Sequence, residues 1–409
     1  MSQTHSPLAD HVPGASTEDG SGLDAHRPLL AATARHYGRP LIEQSTVDEG
    51  DTGLIDGWSH TAVLVTGPEA ATWLNNLISQ KVDAIGVGQT TNGLILDIQG
   101  RVEHAFGIAA VDTDTLLLDA PGDSDPAALA DFLSKMVFWA QVEVTTPELA
   151  LISVVNPASS PAAQAGTGAP EGLDGLDGSA ASGVRYWATR TLGGHAVTDL
   201  WVDVSTVTQV WDTLASTGAR PVGGWAADAL RIRDRRPLLG VDTDERLIPH
   251  EVPGYIGGDT PSAHSATQLA RADDGPTSSA VHLNKGCYRG QETVSRVHNL
   301  GRPPRQLVVL QLDGSGHSLP EVGAAVTAGG RSVGRIGLTV QDAEEGPVAL
   351  ALVKRQVIEK LAADRASGEN KTPALSVDGV AAAVAPDDIV VDNTVRPGRA
   401  AVNKLKGKI

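Results

Sequence analysis

The chain has almost no cysteine. Cys287 is its one cysteine in 409 residues, which excludes an intramolecular disulfide and a cluster site built from four cysteines of this chain. The first five residues contain neither the basic nor the apolar region of a secretory signal. We therefore expect the protein to work in the reducing cytoplasm.

Long apolar runs and an excess of positive charge are missing as well. Residues 349–353 form one of the longest apolar runs, whereas a membrane helix needs about 20 apolar residues. The 49 Asp and Glu residues outnumber the 32 Lys and Arg residues and give a net charge of −17, which repels phosphate backbones and anionic membranes. The sequence thus predicts a soluble protein with no membrane partner, and it disfavours nonspecific binding of nucleic acid.

The common cofactor and metal motifs are also absent. The sequence contains no Walker loop, no G-x-G-x-x-G after a strand, no H-E-x-x-H and no paired C-x-x-C. Nucleotide, dinucleotide and structural zinc sites therefore lack their usual signals, and we predict no metal site.

The length predicts two or three domains. Residues 1–40 are rich in Ser, Gly, Asp, His and Pro and predict a flexible N-terminal arm. Residues 41–302 alternate strand and helix patterns, as in an α+β body, with low-complexity insertions at 156–183 and 258–280. Residues 303–409 contain short strands separated by turns and predict a small all-β domain and a tail.

One segment is unusually rich in chemistry. Residues 285–292 read KGCYRGQE, which combines two glycines, the only thiol, two cations, an amide and a carboxylate. If the segment is extended, Lys285 and Arg289 lie on the same side as Cys287 and favour its thiolate. The alternative is that Cys287 is a small buried hydrophobic residue.

This octapeptide resembles the K-G-C-[YF]-x-G-Q-E signature of the YgfZ family, which are folate-binding relatives of the glycine-cleavage T-protein, an aminomethyltransferase. Residues 67–70, 100–102 and 230–238 resemble segments of the T-protein body, and residues 334–355 resemble its C-terminal barrel. The resemblance implies an α+β fold, with a T-protein-like folate-binding body and a small C-terminal β-barrel domain. It also implies tetrahydrofolate as the cofactor.

The strand pattern and the resemblance together suggest a pterin contact. Residues 196–204 predict a strand in which Asp199 and Trp201 share one face, and Asp199 stands where T-proteins have a pterin-contacting glutamate. A carboxylate suits the donor-rich amino-pyrimidine edge of a pterin, whereas the alternative is an outward face of an edge strand with solvated aspartates. The predicted catalytic residues are Cys287, Lys285 and Glu292, and the predicted cofactor-binding residues are Asp199, Trp201, Tyr288, Arg289 and Gln291.

One position departs from the family. Where T-proteins have an acidic pair that includes the aspartate assigned to one-carbon transfer, this chain has Glu103 and His104. This pair would still be able to move protons, but the departure counts against aminomethyl transfer. The alternative is that His104 is an exposed strand residue.

Three functional hypotheses follow. The main one is a tetrahydrofolate-binding, YgfZ-like protein that supports assembly or repair of iron–sulfur clusters in client enzymes, including tRNA-modifying ones, through Cys287. Its partners would be folate and these client proteins, with an indirect link to tRNA, and we expect a monomer. The alternative is a folate-dependent aminomethyltransferase or demethylase-type one-carbon transfer enzyme. The third is direct tRNA binding through the five cations between residues 285 and 305.

Overall fold

The computed structural model of the chain describes residues 5–17, 33–159, 164–171, 173, 176, 182–256, 277, 279–316, 319–368 and 371–389. The helices are α1 (Pro7–His11), α2 (Pro40–Asp48), α3 (Ala70–Asn75), α4 (Pro126–Lys135), α5 (Val207–Ser216), α6 (Gly224–Arg233), α7 (Gln291–Leu300) and α8 (Arg355–Ser367). The strands are β1 (Gly53–Asp56), β2 (His60–Thr66), β3 (Thr90–Leu96), β4 (Val102–Asp112), β5 (Thr115–Pro121), β6 (Glu143–Thr145), β7 (Leu149–Val155), β8 (Ala165–Thr167), β9 (Val184–Leu192), β10 (His195–Asp203), β11 (Arg220–Val222), β12 (Arg305–Leu312), β13 (Ala325–Ala328), β14 (Arg331–Asp342), β15 (Gly346–Lys354), β16 (Leu375–Val377) and β17 (Val380–Val384).

Two sheets build the body. The first has the strand order β3-β4-β5-β2-β6 and is antiparallel, and the second has the order β11-β1-β7-β10-β9-β8, in which β1 and β11 are parallel. Alternation along β2 sends Val63 and Val65 towards α3 and α4, and Ala62 and Leu64 towards the second sheet. The body therefore has its two sheets face to face, with a helical layer outside the first sheet.

The second sheet is covered in the same way. Leu200 and Val202 of β10 pack with Trp211 and Leu214 of α5, whereas Trp201 points into the layer between the sheets. Both faces of β10 are thus buried, and its position between β7 and β9 makes it a central strand. The strand is predicted correctly from the sequence, but both of its faces are buried from Val197 to Val202.

The C-terminal domain is a closed six-stranded barrel in the order β12-β15-β14-β13-β16-β17. Its interior is aliphatic and extends to Val357 and Ile358 of α8. Outward residues such as Leu307 and Leu350 pack against Ile232 of α6, which joins the barrel to the body. The predicted α+β body and C-terminal barrel are both present, while residues 390–409 of the predicted tail lie outside the described residues.

The predicted flexible arm differs from what the structure shows. Leu8 of α1 is buried in the cluster that contains Trp211, and Arg35 forms an ion pair with Asp228 at 2.6 Å. The described parts of residues 1–40 therefore pack on the body, because a few apolar and charged side chains find specific partners there. Residues 1–4 and 18–32 of the predicted arm lie outside the described residues.

The first predicted insertion is also partly structured. Residues 165–167 form β8 at the edge of the second sheet, with Ala165 buried between the two sheets, and Leu173 is buried against the cluster around Trp187. A small residue suits this position because a Cβ on Gly166 would lie 2.9 Å from Nε1 of Trp187. Residues 160–163, 172, 174, 175 and 177–181 of this insertion, and residues 258–276 and 278 of the second one, are not among the described residues.

Within the described ranges, no helix has both the length and the apolar character that crossing a bilayer requires.

Candidate functional site

The KGCYRGQE segment is a loop that leads into α7 and presses against the turn between β3 and β4. Gly290 has a φ of 80°, and a Cβ there would lie 2.6 Å from the carbonyl oxygen of Asp97 and 2.8 Å from the Cα of Gly100. Gly100 has a φ of 79°, and a Cβ there would lie 2.6 Å from the Cβ of Thr293 in α7. The motif therefore needs glycine at 290, both for its backbone conformation and for close approach.

Lys285 anchors this loop instead of activating the thiol. Its Nζ donates hydrogen bonds to the backbone carbonyls of Asn75 at 2.5 Å, Ile78 at 2.6 Å and Gln80 at 3.0 Å. Burial lowers the pKa of Lys285 to about 8. Because the ammonium is buried among these carbonyls and Cys287 is exposed, the predicted placement of Lys285 beside the sulfur is wrong.

The other predicted residues of the loop face different ways. Cys287 is exposed, which rules out its role as a small buried hydrophobic residue. Arg289 pairs with Glu103 at the surface at 2.9 Å, and Glu292 is exposed in the first turn of α7. Gln291 donates a hydrogen bond from Nε2 to the carbonyl of Lys285 at 3.3 Å and so braces the loop.

Tyr288 is buried beneath the loop. Its ring packs with Leu94, Leu96 and Val294, and Tyr255 borders the same cluster. The fold thus joins the motif to the body through an apolar contact that includes both tyrosines.

Asp199 is not a free carboxylate. It accepts hydrogen bonds from Arg190 Nε at 2.5 Å, from Arg190 Nη2 at 3.2 Å and from Ser153 Oγ at 2.5 Å. Its side chain is 6% exposed, whereas that of Arg190 is 27% exposed. A ligand at this point would therefore contact the Arg190 guanidinium before the Asp199 carboxylate. The structure has neither the exposed face predicted for Asp199 nor the alternative, an edge strand with solvated aspartates.

Trp201 is a core residue. It is buried between the sheets, where it packs with Leu64 of β2 and Leu151 of β7. The predicted common exposed face of Asp199 and Trp201 is absent because β10 is covered on both sides.

A second ionic pair lies near Asp199, on the facing sheet. His60 Nδ1 and Asp119 Oδ1 are 2.6 Å apart, and the two side chains are 28% and 25% exposed. Asp119 of β5 stands opposite Ala62, two residues along β2 from His60, so the pleat brings both side chains to the same face. Gly107 opposite Asp119 on β4 adds no side chain to this face.

The electrostatics of these groups are coupled. Burial lowers the pKa of His60, but the charge and hydrogen bond of Asp119 outweigh burial and the net pKa lies above its ordinary value. Burial raises the pKa of Asp119, and the charge and hydrogen bond of His60, with help from Arg190 and Arg236, bring it below its ordinary value. The imidazole and the carboxylate therefore form a pair that is charged more readily than either group alone.

Arg236, just after α6, completes the cluster. Burial and the neighbouring charge of Arg190 lower the pKa of Arg236, against the charges of Asp234 and Asp199. Its side chain is 44% exposed, and Asp234 lies 3.7 Å away. We call His60, Asp119, Arg190, Asp199 and Arg236 the junction site, because it gathers residues from both sheets and from the segment after α6.

Tyr255 connects the junction site with the motif loop. Burial and the charge of Asp123 raise the pKa of Tyr255, while the charge of Arg236 lowers it. Tyr255 therefore borders the cluster around Tyr288 and is also close enough to Arg236 for its pKa to respond to that charge.

The Glu103–His104 pair lies elsewhere. His104 is buried, and its Nδ1 is 2.6 Å from the carbonyl oxygen of Ser124, so the expectation of an exposed strand histidine is wrong. Glu103 is at the surface with Arg289. The two neighbours point to opposite sides of β4, as alternation requires, and do not form a joint site.

The predicted basic patch is largely neutralised. Lys285 is buried and Arg289 is paired, while Arg302 meets Glu359 at 2.9 Å. Arg305 is held by Asp244 and Glu251 at 2.5 and 2.8 Å. Four of the five cations behind the RNA hypothesis therefore already have partners within the protein.

Sequence reasoning missed His60, Asp119 and Arg190. The available signal was a polar residue inside or beside an otherwise apolar strand, as in Leu116-Leu117-Leu118-Asp119. Within the described part of the chain, no group of three or more His, Cys, Asp or Glu residues is arranged to hold a metal ion.

Comparisons with known proteins fit this architecture. The family model described as the GCVT N-terminal domain matches residues 42–253, just over half of the chain. An aminomethyltransferase of Streptomyces avermitilis is 27% identical over 354 residues, which cover 81% of this chain and 88% of that protein. The crystal structure of glycine cleavage system aminomethyltransferase T from Bartonella henselae has a TM-score of 0.66 at 15% identity, over 93% of this chain and 95% of that one. The expected T-protein-like fold with its C-terminal barrel is thereby confirmed.

Proposed function

The chain belongs to the GCVT N-terminal domain family, and on that premise we propose that it binds tetrahydrofolate at the junction site and transfers a one-carbon unit on it. The two relatives, both aminomethyltransferases, support this alternative over the iron–sulfur hypothesis. The observation that carries the proposal is the cluster of partly exposed, oppositely charged groups where the two sheets and the segment after α6 meet.

The residues present suit a folate. Asp119 is an ionised, partly exposed acceptor for the amino and ring N–H donors of a pterin. Arg236 and the exposed part of Arg190 are cations for the carboxylates of the glutamate tail. Asp199 and Ser153 hold the Arg190 guanidinium in one orientation, so the cation is positioned before a ligand binds.

Tetrahydrofolate supplies nucleophilic amines that carry the one-carbon unit. The protein's own groups bind and orient it: Asp119 faces the donor-rich end and Arg236 the anionic end. The two facing sheets limit the access of water because their shared layer is apolar around Trp201.

Anaerobic equilibrium binding of tetrahydrofolate, followed by tryptophan quenching, tests the binding step. We expect saturable binding to the native chain and at least tenfold weaker binding to Asp119→Asn and to Arg236→Gln. Asp114→Asn, an exposed aspartate in the turn before β5, is the matched control and should bind like the native chain. Equal binding by all four proteins would place the folate away from the junction site.

The transfer step needs a separate assay. Formation of methylene-tetrahydrofolate from an aminomethyl thioether is expected to survive Cys287→Ser, since the thiol is at the surface of the motif loop. Binding of tetrahydrofolate by the native chain without any transfer would reject the enzyme and retain the folate-binding protein.

One observation favours the iron–sulfur role as a second candidate. Cys287 is exposed on a loop that Lys285 and Gly290 fix to the body, which is a suitable presentation for a thiol that meets another protein. In cells that lack the protein, Cys287→Ser should then fail to restore the activity of iron–sulfur enzymes that the native chain restores. Gly286→Ala, an exposed neighbour with open space around it, is the control.

A further inference from the structure

We propose that His60, held by Asp119, is the proton-transfer residue of the junction site. The inference rests on the proposed one-carbon transfer. His60 Nε2 takes a proton from an attacking N–H of tetrahydrofolate and delivers it to the nitrogen that leaves the donor. His60 is then back in its neutral form and ready for the next turnover.

The atoms balance for an aminomethyl thioether donor. Two C–N bonds form to the two N–H nitrogens of the folate, and the C–N and C–S bonds of the donor break. The two protons released by the folate end on ammonia and on the thiol. His60 carries the proton that ends on ammonia, and no oxidant or reductant is needed.

Asp119 sets the tautomer of His60. An ionised carboxylate only accepts hydrogen bonds, so the imidazole nitrogen 2.6 Å from it, Nδ1, must be the donor. In the neutral ring the lone pair is then on Nε2. The pair therefore presents a base, with a carboxylate behind it that stabilises the imidazolium once a proton arrives.

The Nε2 atom is available for this role. Within the described residues it makes no hydrogen bond, and the side chain is more than a quarter exposed. Two other histidines of the body differ from His60. His104 is buried and its Nδ1 is hydrogen-bonded to a backbone carbonyl. His195 has both ring nitrogens hydrogen-bonded, one to Asn156 and the other to Asp48. His60 is thus bound at one nitrogen and open at the other.

The charged groups that face His60 come from three strands. Asp119 of β5 and Asp199 of β10 raise its pKa, whereas burial and Arg190 of β9 lower it. Arg236 acts on the same pair through Asp119. Because Asp199 is neutralised by Arg190, Asp119 is the partner that decides the protonation of His60.

Two other acidic residues that could act as bases, Asp97 and Glu103, are already engaged. Glu103 is tied to Arg289 at the surface. The Asp97 carboxylate accepts hydrogen bonds from the backbone N–H groups of Gln99 and Arg101, both at 2.8 Å, and shapes the turn that receives the motif loop. Of these three groups, His60 is the one with both a free lone pair and an orienting partner.

The experiment combines turnover with a readout on the imidazole itself. In the native chain, ¹⁵N NMR of the histidine rings should show Nε2 of His60 unprotonated at high pH, and adding tetrahydrofolate should shift this resonance. The His104 resonances serve as the internal reference and should not move. If the Nε2 resonance of His60 does not shift when tetrahydrofolate binds, the proposal is overturned, whatever the rate of turnover.

Variants then test the proton transfer. His60→Gln should bind tetrahydrofolate within threefold of the native chain, yet transfer the one-carbon unit at least 100-fold more slowly and lose the acid limb of the pH–rate profile. Asp119→Asn lacks the orienting carboxylate, so the NMR titration of this variant should show that His60 becomes protonated at a lower pH than in the native chain. Turnover by His60→Gln within threefold of the native rate overturns the proposal and leaves the proposed function intact. A native chain that shows no transfer at all rejects the proposed function instead.

Discussion

Gly290 and Gly100 lie back to back: the Cα of Gly100 is 2.8 Å from the point that a Cβ on Gly290 would occupy. Both glycines have φ near 80°, the left-handed region that other residues rarely adopt. The contact joins the KGCYRGQE loop to the turn between β3 and β4, so it places Cys287 relative to the body.

Gly290→Ala should therefore destabilise the protein. Strain at a positive φ and the collision with the Gly100 backbone together are expected to lower the free energy of unfolding by about 2–4 kcal/mol. Gly286→Ala, in the same loop but with open space and an ordinary φ, should change it by less than about 0.5 kcal/mol. Urea denaturation measures both, and equal effects would show that the close approach has no energetic weight.

Asp56 should make stability depend on pH. Burial raises its pKa from the ordinary 3.8 to about 6, against hydrogen bonds from Ser6 and the backbone of Trp58. Between pH 4 and pH 6 the folded state therefore holds a proton that the unfolded state has lost, and stability falls as the pH rises through this window, by up to about 3 kcal/mol.

The variant Asp56→Asn isolates this contribution. Its free energy of unfolding, relative to the native chain, should increase from pH 4 to pH 6 and level off above. Asp51→Asn, at an exposed site, should show a constant difference from the native chain over the same range. A constant difference for Asp56→Asn as well would mean that Asp56 is ionised in the folded state throughout.

The ion pair of Glu103 and Arg289 should be worth little. Both side chains are more than a third exposed, so solvent screens the pair and we expect Glu103→Gln to cost at most about 1 kcal/mol. Tetrahydrofolate binding and one-carbon transfer should stay at native levels, because Glu103 is outside the junction site. A double-mutant cycle with Arg289→Gln measures the coupling, and loss of transfer in Glu103→Gln alone would assign a catalytic role to Glu103.

Arg233 should hold the barrel to the body. It donates hydrogen bonds to Asp342 of β14 at 3.0 and 3.1 Å and to Asp48 of α2 at 2.7 and 3.1 Å, and the Asp342 side chain is fully buried. Arg233→Met leaves that carboxylate without its cation and should cost about 2–4 kcal/mol.

The matched control for the barrel contact is Arg302→Met. Its pair with Glu359 is about one-third exposed, so the loss should stay below about 1 kcal/mol. Thermal unfolding followed by calorimetry compares the two variants, and similar shifts in Tm would show that the buried contact adds nothing beyond a surface ion pair.

Much of the architecture is readable from the sequence because it depends on local pattern. Residues 61–66, apolar at their four central positions and β-branched at both ends, predict β2. Asp125 before Pro126 predicts the start of α4, and its carboxylate does cap the helix at the N–H of Ala128. The alternation of strand and helix patterns that predicts an α+β body with a terminal β domain is of the same kind. These features depend on interactions between residues that are close in the sequence, and such interactions are the same wherever the segment lies in the fold.

The site was decided by tertiary structure. The sequence places Asp199 on a strand but does not say that Arg190, nine residues earlier on β9, extends to β10 and binds it. It contains His60 and Asp119 59 residues apart, and only the pairing of β2 with β5 brings them to 2.6 Å. Lys285 likewise turns to carbonyls more than 200 residues away in sequence. Direction and partner of a polar side chain are set by which strands become neighbours, and that is a property of the folded chain as a whole.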